Sequence, residues 1–568
     1  MKRLSETCEK IAGTNKKLEK TALVATYLQT CQPDEAASAA VFLSGRPFPL
    51  WEEATLQIGG SLLWKIVAEL SGKTEAELSE AYRRHGDLGS VAGEVLRVKS
   101  ESSDISIQEV QERFRKIASA RGTAAKTLEL RELLLRSSPL ETKYIVKIIT
   151  GDLRIGLKES LVEDAIAKAY GAALSEVQRA NMLLGDIGET VKFAAARRLP
   201  EARMRLFHPL GFMLASPAQS SEEALSYFED ALVEDKYDGI RAQAHCSGDK
   251  VKIFSRTRDD ITVSFPELPH ALAGFPEDVI FDGEIVAWSH LESDSQENGR
   301  ALPFSALQQR LGRKKVSEQM LREVPVAYVI FDVLYKQDEL LLDRPLLERG
   351  GILNDLLASS RKAVAPLPGR PQSRLEFEAE EVRAATPILR APVFRASSPE
   401  VLDKLFDSAQ ARGNEGLMIK APLSTYTPGR RGKSWLKLKR ELATLDVVIT
   451  AAEYGHGKRI KVLSDYTFAV RDGERLVNIG KAYSGLTDVE IAELTKWFLE
   501  HTVEDQGMRL LVEPTMVIEV AFNNMMVSDR HDSGYALRFP RIVRLRPDKL
   551  PGEIDTLERV KEIYAQQK

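Results

Sequence analysis

The feature that most constrains the fold of this chain is a change of hydrophobic period near residue 206. Before it, apolar residues recur three and four positions apart, as in residues 62–70, 110–117 and 161–169. After it, short runs alternate apolar and polar residues and are separated by Gly and Pro. The first pattern fits one face of a helix and the second one face of a strand. We therefore predict an all-α domain over residues 1–205 and strand-rich domains beyond it.

The strand-rich part divides again near residue 440. Residues 206–440 contain short alternating runs separated by Gly and Pro, which predict strands. Residues 441–568 contain short strand patterns and one helix pattern near 487–501. This favours a small closed β-barrel, of which the oligonucleotide-binding (OB) fold is the expected type. The predicted strands of this last domain are 446–452, 466–470, 477–481 and 515–522.

Composition and charge limit the class of protein. Hydrophobic residues make up 43% of the chain and charged residues 29%, and no apolar run is long enough to span a bilayer. Three separated cysteines provide neither a zinc quartet nor a disulfide framework, and no signal peptide is evident, so we expect a cytoplasmic protein. With a net charge of −4, any binding of nucleic acid must use local basic patches such as residues 429–440.

The segment at residues 234–241 reads Glu-Asp-Lys-Tyr-Asp-Gly-Ile-Arg and precedes a predicted hairpin over 241–256. Small apolar residues alternate with polar ones in residues 241–256. This predicts a half-buried strand pair, with Lys236 in the short link that enters it. Gly239 permits close approach of the backbone. A lysine acts as a nucleophile only when its amine is neutral, which nearby cations and partial burial favour. Taken alone, the segment also fits an exposed charged turn.

Two links between predicted helices carry Gly-Asp-Leu. In residues 150–157, Arg154 lies between two glycines just before a helix, and residues 86–89 form a second such link. Backbone amides at a helix N-terminus together with an arginine suit a phosphate. Each link also fits a plain helix stop.

Acidic, aromatic and basic residues on the predicted strands suit nucleotidyl transfer when they are combined with Lys236. The amine would attack an α-phosphate, carboxylates would hold Mg²⁺, and an aromatic ring would offer a face to a purine. Cations would neutralise charge in the transition state. Each residue alone fits an ordinary strand position, but their order along the chain is not expected by chance. The residues are Glu284, Phe331, Glu415, Lys437 and Lys439.

These motifs resemble those of the ATP-dependent DNA ligases, within the lysine nucleotidyltransferase superfamily, over nearly the whole chain. The resemblance starts from the segment at 234–241, and the helical part resembles the family's DNA-binding domain through residues 86–89 and 151–157. The other similar segments are Phe254-Ser255-Arg256, Asp282-Gly283-Glu284, Phe331-Asp332-Val333-Leu334-Tyr335, Glu415-Gly416-Leu417-Met418-Ile419-Lys420, and residues 430–439, 454–459, 485–488, 538–544 and 548–549.

The resemblance implies three domains: an all-α DNA-binding domain (1–205), an α+β adenylation, or nucleotidyltransferase, domain (206–440) and a β-barrel OB-fold domain (441–568). It implies sealing of nicks in duplex DNA through a lysyl-AMP intermediate, AMP transfer to the 5′-phosphate and attack by the 3′-hydroxyl. ATP and Mg²⁺, or another divalent cation, would be needed. We expect a monomer that binds nicked double-stranded DNA and no membrane, and no sliding-clamp peptide is evident.

The resemblance also implies a role for each matching residue. Lys236 would be the adenylated nucleophile, Glu234 would accept a hydrogen bond from the adenine amino group, and Phe331 would stack on the base. Glu284 and Glu415 would hold the metal ion, with Glu284 also beside the nucleotide. The remaining residues would bind ribose or phosphate (Arg241, Arg256, Arg431, Lys437, Lys439), act on the departing pyrophosphate (Arg538, Arg541, Asp548) or contact a DNA phosphate (Arg154).

Four alternatives remain open at this stage. An RNA ligase or a capping guanylyltransferase would share the nucleotidyl-transfer motifs, but the long helical part argues against both. The lack of zinc-ligand cysteines disfavours an NAD-using DNA ligase. A catalytically silent DNA-binding protein is disfavoured because Lys236, Glu284, Glu415 and Lys437 are all present. A test for covalently bound AMP separates these classes.

Overall fold

A computed structural model describes the fold of most of the chain. The described residues are 1–49, 51–52, 54–96, 105–289, 300–302, 304–310, 316–359, 388–439, 443–456 and 459–566. The sequence predicts a surface loop at the polar stretch 289–303 and a connection at the Pro-rich stretch 363–374. The first stretch lies largely outside the described residues, and the second lies wholly outside them. The chain divides into two compact units, one from residues 1–47, 54–165 and 441–568 and the other from 48–53 and 166–440. The domain boundaries at 205 and 440 stay predictions.

The helical character of the N-terminal part is confirmed. The three predicted stripes lie on three of its helices, and Val110, Phe114 and Ile117 are fully buried. Thr74 and Glu77 form the capping box that their spacing predicts, which stabilises a helix start by about 1 kcal/mol. The helices are α1 Lys2–Ala12, α2 Lys17–Gln29, α3 Pro33–Leu43, α4 Gly60–Ser71, α5 Glu75–His85, α6 Leu88–Val95, α7 Ile107–Ser119, α8 Thr123–Arg136, α9 Pro139–Ile149, α10 Glu159–Tyr170, α11 Leu174–Leu184 and α12 Ile187–Ala195.

The second unit continues with strands and short helices. It contains both strands and helices, which fits the expected α+β class. They are β1 Leu214–Ala218, α13 Ser221–Leu225, β2 Ala231–Lys236, β3 Ile240–Gly248, β4 Lys250–Ser255, α14 Glu267–Leu272, β5 Phe275–Ser289, β6 Arg300–Ala301, α15 Phe304–Gln308, α16 Glu318–Glu323, β7 Val326–Lys336, β8 Glu339–Leu340, α17 Leu346–Ser359, β9 Ile388–Arg390, β10 Phe394–Ala396, α18 Pro399–Ala411, β11 Gly416–Lys420 and β12 Arg431–Leu438.

These strands form two sheets. One has the order β1-β12-β11-β2-β10; the other has the order β4-β3-β5-β7-β8, with β6 on β5 and β9 on β7. Each sheet covers an apolar core of its own. A third cluster joins the sheets, since Ile280 and Leu334 of the second sheet pack with Trp435 of the first. This cluster packs β11 and β12 of the first sheet against β5 and β7 of the second.

The predicted hairpin is present as β3 and β4, but the prediction that it is half-buried is wrong for β3, whose polar face is buried as well. Gln243 and His245 are fully buried. Gln243 exchanges two hydrogen bonds with the backbone of Leu210, at 3.0 and 3.1 Å, and His245 Nδ1 accepts one from Phe207 N at 3.1 Å. Burial lowers the pKa of His245 to about 3. A segment 30 to 40 positions earlier covers this face, and local alternation cannot reveal such a contact.

The C-terminal part is rich in strands, as predicted, and its helix at 487–501 is confirmed. The prediction of a single helix is wrong, because a second one packs Leu557, Val560 and Ile563 against the core of the sheet. Among the described residues, the outer strands have one partner strand each, so the OB fold stays a prediction. The elements are β13 Ala443–Tyr454, β14 Leu463–Asp472, β15 Arg475–Ala482, α19 Asp488–Glu500, β16 Thr502–Asp505, β17 Arg509–Val512, β18 Val517–Phe522, β19 Asn524–Val527, β20 Tyr535–Arg538, β21 Arg541–Leu545 and α20 Leu557–Gln566.

Within the part of the chain that the structure describes, none of the helices has both the length and the apolar content that crossing a bilayer requires.

Candidate active site

Lys236 is the last residue of β2 and lies beside the start of β11, rather than in the predicted link. In the antiparallel pairing it faces Gly416, and Glu415 N donates a hydrogen bond to Lys236 O at 2.8 Å. Gly416 has a φ of +145°, and a Cβ there would lie 2.2 Å from Leu438 O. Only glycine fits this backbone position. The close packing of the three strands therefore brings Glu415 next to Lys236.

The Glu415 carboxylate is shared by two lysines. Its Oε2 atom pairs with the Nζ atoms of both Lys236 and Lys439. Burial alone would raise the pKa of Glu415, but the charges of Lys236 and Lys439 outweigh burial and hold that pKa well below its usual range. All three side chains are only about one fifth to one quarter exposed. One carboxylate thus faces two ammonium groups, and the cluster has an excess of positive charge.

Glu284 lies on β5, across from Arg241 of β3. No hydrogen bond or ion pair joins its carboxylate to another of the described side chains. Burial raises the pKa of Glu284 to about 8, against the opposing charges of Lys236 and Arg241. A Cβ on Gly239 would lie 2.9 Å from Glu284 Cγ and 2.3 Å from Ile285 O. The close backbone approach predicted for Gly239 is confirmed, and it places Glu284 beside the lysine segment.

Further cations surround this cluster. Burial, followed by the charges of Lys236, Arg431 and Arg256, lowers the pKa of Lys437. Burial and the charge of Lys236 also lower the pKa of Lys439. Arg256 and Arg431 are exposed. The structure therefore brings Lys236, Arg256 and Arg431 within electrostatic reach of Lys437, where like charges oppose one another until an anion is bound.

Arg241, predicted to contact ribose or phosphate, binds protein groups in this structure. Its Nε and Nη2 atoms donate to the two carboxylate oxygens of the fully buried Asp282 at 3.1 and 2.7 Å, and Nη1 donates to Met213 O at 2.6 Å. Tyr426 OH also donates to Asp282, at 2.7 Å. Although burial alone would lower the pKa of Arg241, Asp282 and Tyr426 raise it above its usual value. The nucleotide contact of Arg241 stays a prediction.

Glu234 and Phe331, the predicted purine contacts, lie around a buried lysine. Lys420 Nζ donates to Glu234 Oε2 at 2.5 Å. The same Nζ lies 4.5 Å from the ring centre of Phe331 and 4.3 Å from that of Trp435. Phe331 is partly exposed, whereas Trp435 is buried. The arrangement is a small aromatic wall with one acceptor and one donor beside it.

Sequence reasoning missed several members of the site. Lys420 and Asp282 stand inside segments that were recognised, but neither was assigned a role. Trp435 also stands inside a recognised segment, 430–439, without an assigned role, and Tyr426 lies outside the recognised segments. A lysine that ends the apolar strand β11 was the only available indication, since a buried lysine requires a partner. That partner, Glu234, is 186 positions away.

The predicted pyrophosphate residues belong to the first unit. Arg538 ends β20, and Arg541 begins β21 and is exposed. Asp548 accepts three hydrogen bonds from Arg546, at 2.8 to 3.2 Å. These bonds lower the pKa of Asp548 to about 2. Arg546 also donates to Asp446 on β13, at 2.7 and 2.9 Å.

Arg154, the predicted DNA contact, connects the two Gly-Asp-Leu links. Its Nη1 donates to Gly86 O, and its Nε donates to Asp152 Oδ2 at 2.7 Å. Gly86 ends α5 and Gly151 follows α9, both with positive φ, so the helix-stop interpretation of both links is confirmed. A phosphate contact of Arg154 stays a prediction.

The carboxylates in the second unit fit a magnesium ion. Glu284 and Glu415 offer oxygen ligands, and Glu284 has no protein partner among the described residues. Mg²⁺ is usually held by one or two carboxylates together with substrate phosphates. The described part of the chain contains no cluster of three or more His, Cys, Asp or Glu residues suited to a metal. The donor set therefore fits an ion that arrives with a nucleotide.

Comparisons with known proteins cover the whole chain. Family models match three stretches: "DNA ligase N terminus" at residues 1–167, "ATP dependent DNA ligase domain" at 212–439 and "ATP dependent DNA ligase C terminal region" at 459–549. A probable DNA ligase of Koribacter versatilis is 60% identical over 568 residues, which cover 100% of this chain and 97% of the relative. A DNA ligase of Methanothrix thermoacetophila is 36% identical over 581 residues, which cover 100% and 98%.

A solved structure called Pmar-Lig_PreS3 is 15% identical, with a TM-score of 0.59 over 96% of this chain and 99% of that one. At that identity, the likeness shows a shared fold.

Proposed function

The chain belongs to the ATP-dependent DNA ligase family, whose members form phosphodiester bonds, and from this premise we propose that Lys236 carries the AMP. The observation that supports this most directly is the shared carboxylate. Lys236 is held by Glu415, and Glu415 is held in turn by a second lysine. Such a cluster has spare positive charge for a triphosphate while it keeps the nucleophile partly buried.

In the first step the neutral Nζ of Lys236 attacks the α-phosphorus of ATP. A phosphorus–nitrogen bond forms, the bond to the bridging oxygen breaks, and pyrophosphate leaves. Before attack, Lys236 must release its proton and its ion pair with Glu415. Lys437 and Lys439, with Arg256 and Arg431 at the exposed side, stabilise the charge that develops on the phosphate oxygens. Arg431 and Lys437 lie on β12, and Lys439 and Arg256 directly follow β12 and β4, so these side chains need little rearrangement during the reaction.

A divalent cation would be held by Glu284 and Glu415. Once bound, it would neutralise charge on the nucleotide phosphates. Glu284 supports this assignment because it is a carboxylate with a raised pKa and no protein partner in the described structure. Ligation by a metal ion would keep it ionised near neutral pH, where its own surroundings favour the protonated form.

The wall formed by Phe331 and Trp435 is the proposed purine site. Glu234 can accept from the adenine amino group, and Lys420 can donate to an adjacent ring nitrogen. Guanine has an acceptor where adenine has the amino group, so it would oppose Glu234 with a like group. We therefore expect ATP to be used in preference to GTP.

The DNA-bound steps involve all three proposed domains. AMP passes from Lys236 to the 5′-phosphate of a nick, and the 3′-hydroxyl then displaces it. The helical domain with Arg154 and the OB-fold domain would supply phosphate contacts to nicked duplex DNA. Arg538, Arg541 and Asp548 of the OB-fold domain would already have acted in the first step, on the departing pyrophosphate. We expect the protein to work as a monomer in the cytoplasm.

The decisive experiment is covalent labelling of the purified protein with α-labelled ATP, GTP or NAD. ATP alone is expected to label it, and Lys236→Arg, which retains the charge, is expected to abolish labelling. Sealing of a nicked duplex by the wild type then identifies DNA as the acceptor. Comparable labelling of Lys236→Arg would refute the assignment of the nucleophile, and labelling by GTP would refute the base site.

A further inference from the structure

Asp235 lies between Glu234 and Lys236 on β2, and its side chain points to the opposite face of the strand, as strand alternation requires. It is buried, with its side chain 3% exposed. Arg412 donates to both of its oxygens, at 2.8 and 2.7 Å, and Asn414 Nδ2 donates to Oδ2 at 2.8 Å. We call these three residues the Asp235 cluster. None of them belongs to the proposed nucleotide or metal contacts.

The hydrogen bonds of the Asp235 cluster hold the turn that precedes Glu415. Helix α18 ends at Ala411, and the chain turns through Arg412, Gly413 with a φ of +82°, and Asn414. Strand β11 begins only at Gly416, so the strand ladder does not include Glu415. Two sets of hydrogen bonds restrain Glu415 on this side. Its own N–H donates to Lys236 O, and Asp235 accepts hydrogen bonds from Arg412 and Asn414 in the preceding turn.

The hydrogen bonds of the Asp235 cluster suit a rigid connection between β2 and the turn. Arg412 binds Asp235 through two parallel hydrogen bonds, a geometry that sets orientation as well as distance. Its side chain is 45% exposed, so the cluster can be loosened from the solvent side without opening a cavity. The hydrogen bond with Asp235 raises the pKa of Arg412 above its usual value.

We propose that Asp235, through Arg412 and Asn414, is a positioning residue that sets the Glu415 carboxylate relative to Lys236 Nζ. This rests on the proposed role of Lys236. The backbone of β2 carries Lys236 on one face and the anchor of the Glu415 turn on the other, so one strand fixes both groups. A displacement of the turn by about 1 Å would misplace the carboxylate, and misplacements of that size reduce rates by up to about 100-fold.

The test uses full-length protein in single-turnover self-adenylation at varied ATP. Arg412→Ala is expected to lower the maximal rate constant about 10- to 100-fold while the ATP concentration for half-maximal rate is unchanged. Arg412→Lys, which retains one charged hydrogen bond, should recover part of that loss. The matched control is Arg395→Ala on neighbouring β10, which breaks the exposed pair with Asp230 and should leave the rate constant unchanged.

A second readout needs no nucleotide. Hydrogen exchange in the peptide that contains Glu415, measured well below the melting temperatures of both variants, should be faster in Arg412→Ala than in Arg395→Ala, because the amide bonded to Lys236 O is loosened. Equal rate constants in the two variants would overturn the proposal. So would a loss in Arg412→Ala that follows its melting temperature and is not recovered by Arg412→Lys. Labelling of Lys236→Arg, run alongside, separates failure of the proposed function from failure of this inference.

Discussion

Two carboxylate–cation clusters of the second unit use the same residue types in different ways. Asp332 and Arg349 are both fully buried, and Arg349 donates to the two carboxylate oxygens at 2.8 and 2.9 Å. Glu415 instead is shared by Lys236 and Lys439, all three partly exposed. The first cluster has matched charges and saturated oxygens. The second has one acid for two cations.

The difference indicates which of the two clusters has the capacity to bind a further ligand. A saturated buried pair has no capacity for another ligand, and removing one partner leaves an uncompensated charge in a medium of low dielectric constant. An unsaturated, partly exposed cluster loses little stability when one member is removed, yet it attracts an anion strongly. Stability should therefore depend on Asp332, and activity on Glu415.

The largest expected effect is on the buried pair. Asp332→Ala should lower the free energy of unfolding of the second unit by about 3–5 kcal/mol, since Arg349 remains buried without its partner. Urea unfolding of the full-length protein measures this, with Arg344→Ala, which breaks an exposed pair with Glu339, as the control. The double change Asp332→Leu with Arg349→Met should recover most of the loss. A single variant as stable as the control would remove the basis of the comparison.

The next largest effect is expected at the shared carboxylate, Glu415. Glu415→Gln should slow self-adenylation roughly 100- to 1000-fold, the scale of losing a preorganised electrostatic group. Its free energy of unfolding should change by less than about 1 kcal/mol, because its partners remain partly hydrated. Single-turnover AMP labelling and urea unfolding of the same preparation give both numbers. A large loss of stability with a small loss of rate would show that Glu415 is a structural residue like Asp332.

A third test extends the comparison to the exposed cation Arg541 of the first unit. If it acts only on the departing pyrophosphate, Arg541→Ala should slow self-adenylation by about 100-fold. Sealing of a nick that already carries AMP on its 5′-phosphate should proceed at nearly the wild-type rate, because no pyrophosphate leaves in that step. The two single-turnover assays are run side by side. An equal loss in both would mean that Arg541 supports the fold of its own domain.

The smallest effect is expected at His245, which is buried in its neutral form. The pKa of His245 is lowered to about 3 by burial, so between pH 6.5 and 3 the unfolded chain binds a proton that the folded chain does not. Stability contributed by the neutral ring is present above pH 6.5 and is lost as pH falls, by about 2 kcal/mol from pH 7 to 5.

His245→Asn should weaken this pH dependence by that amount in urea unfolding at the two pH values. The exposed His456→Asn serves as the control and should not change it. If His245→Asn retained the full acid sensitivity, the sensitivity would have to come from other groups.

Features that arise between near neighbours in the sequence were predicted, and features that arise between distant residues were not. Helix stripes, the capping box at Thr74 and the β3–β4 hairpin arise from neighbours within a few positions, and local patterns revealed them. The buried polar face of the hairpin was missed because residues near Leu210 cover it. The second C-terminal helix was missed although its apolar residues at 557, 560 and 563 follow helical spacing.

The sequence by itself determined the reaction class, because the motifs around Lys236, Glu284, Glu415 and Lys437 stand in the same order as those of the ligase family. Tertiary structure alone decided which of these groups meet. Lys236 and Glu415 are 179 positions apart, and their contact depends on β2 and β11 pairing in one register. The pairing of Lys420 with Glu234 and of Arg412 with Asp235 has the same origin. Such contacts follow from the burial of the whole sheet, which no short stretch of sequence encodes.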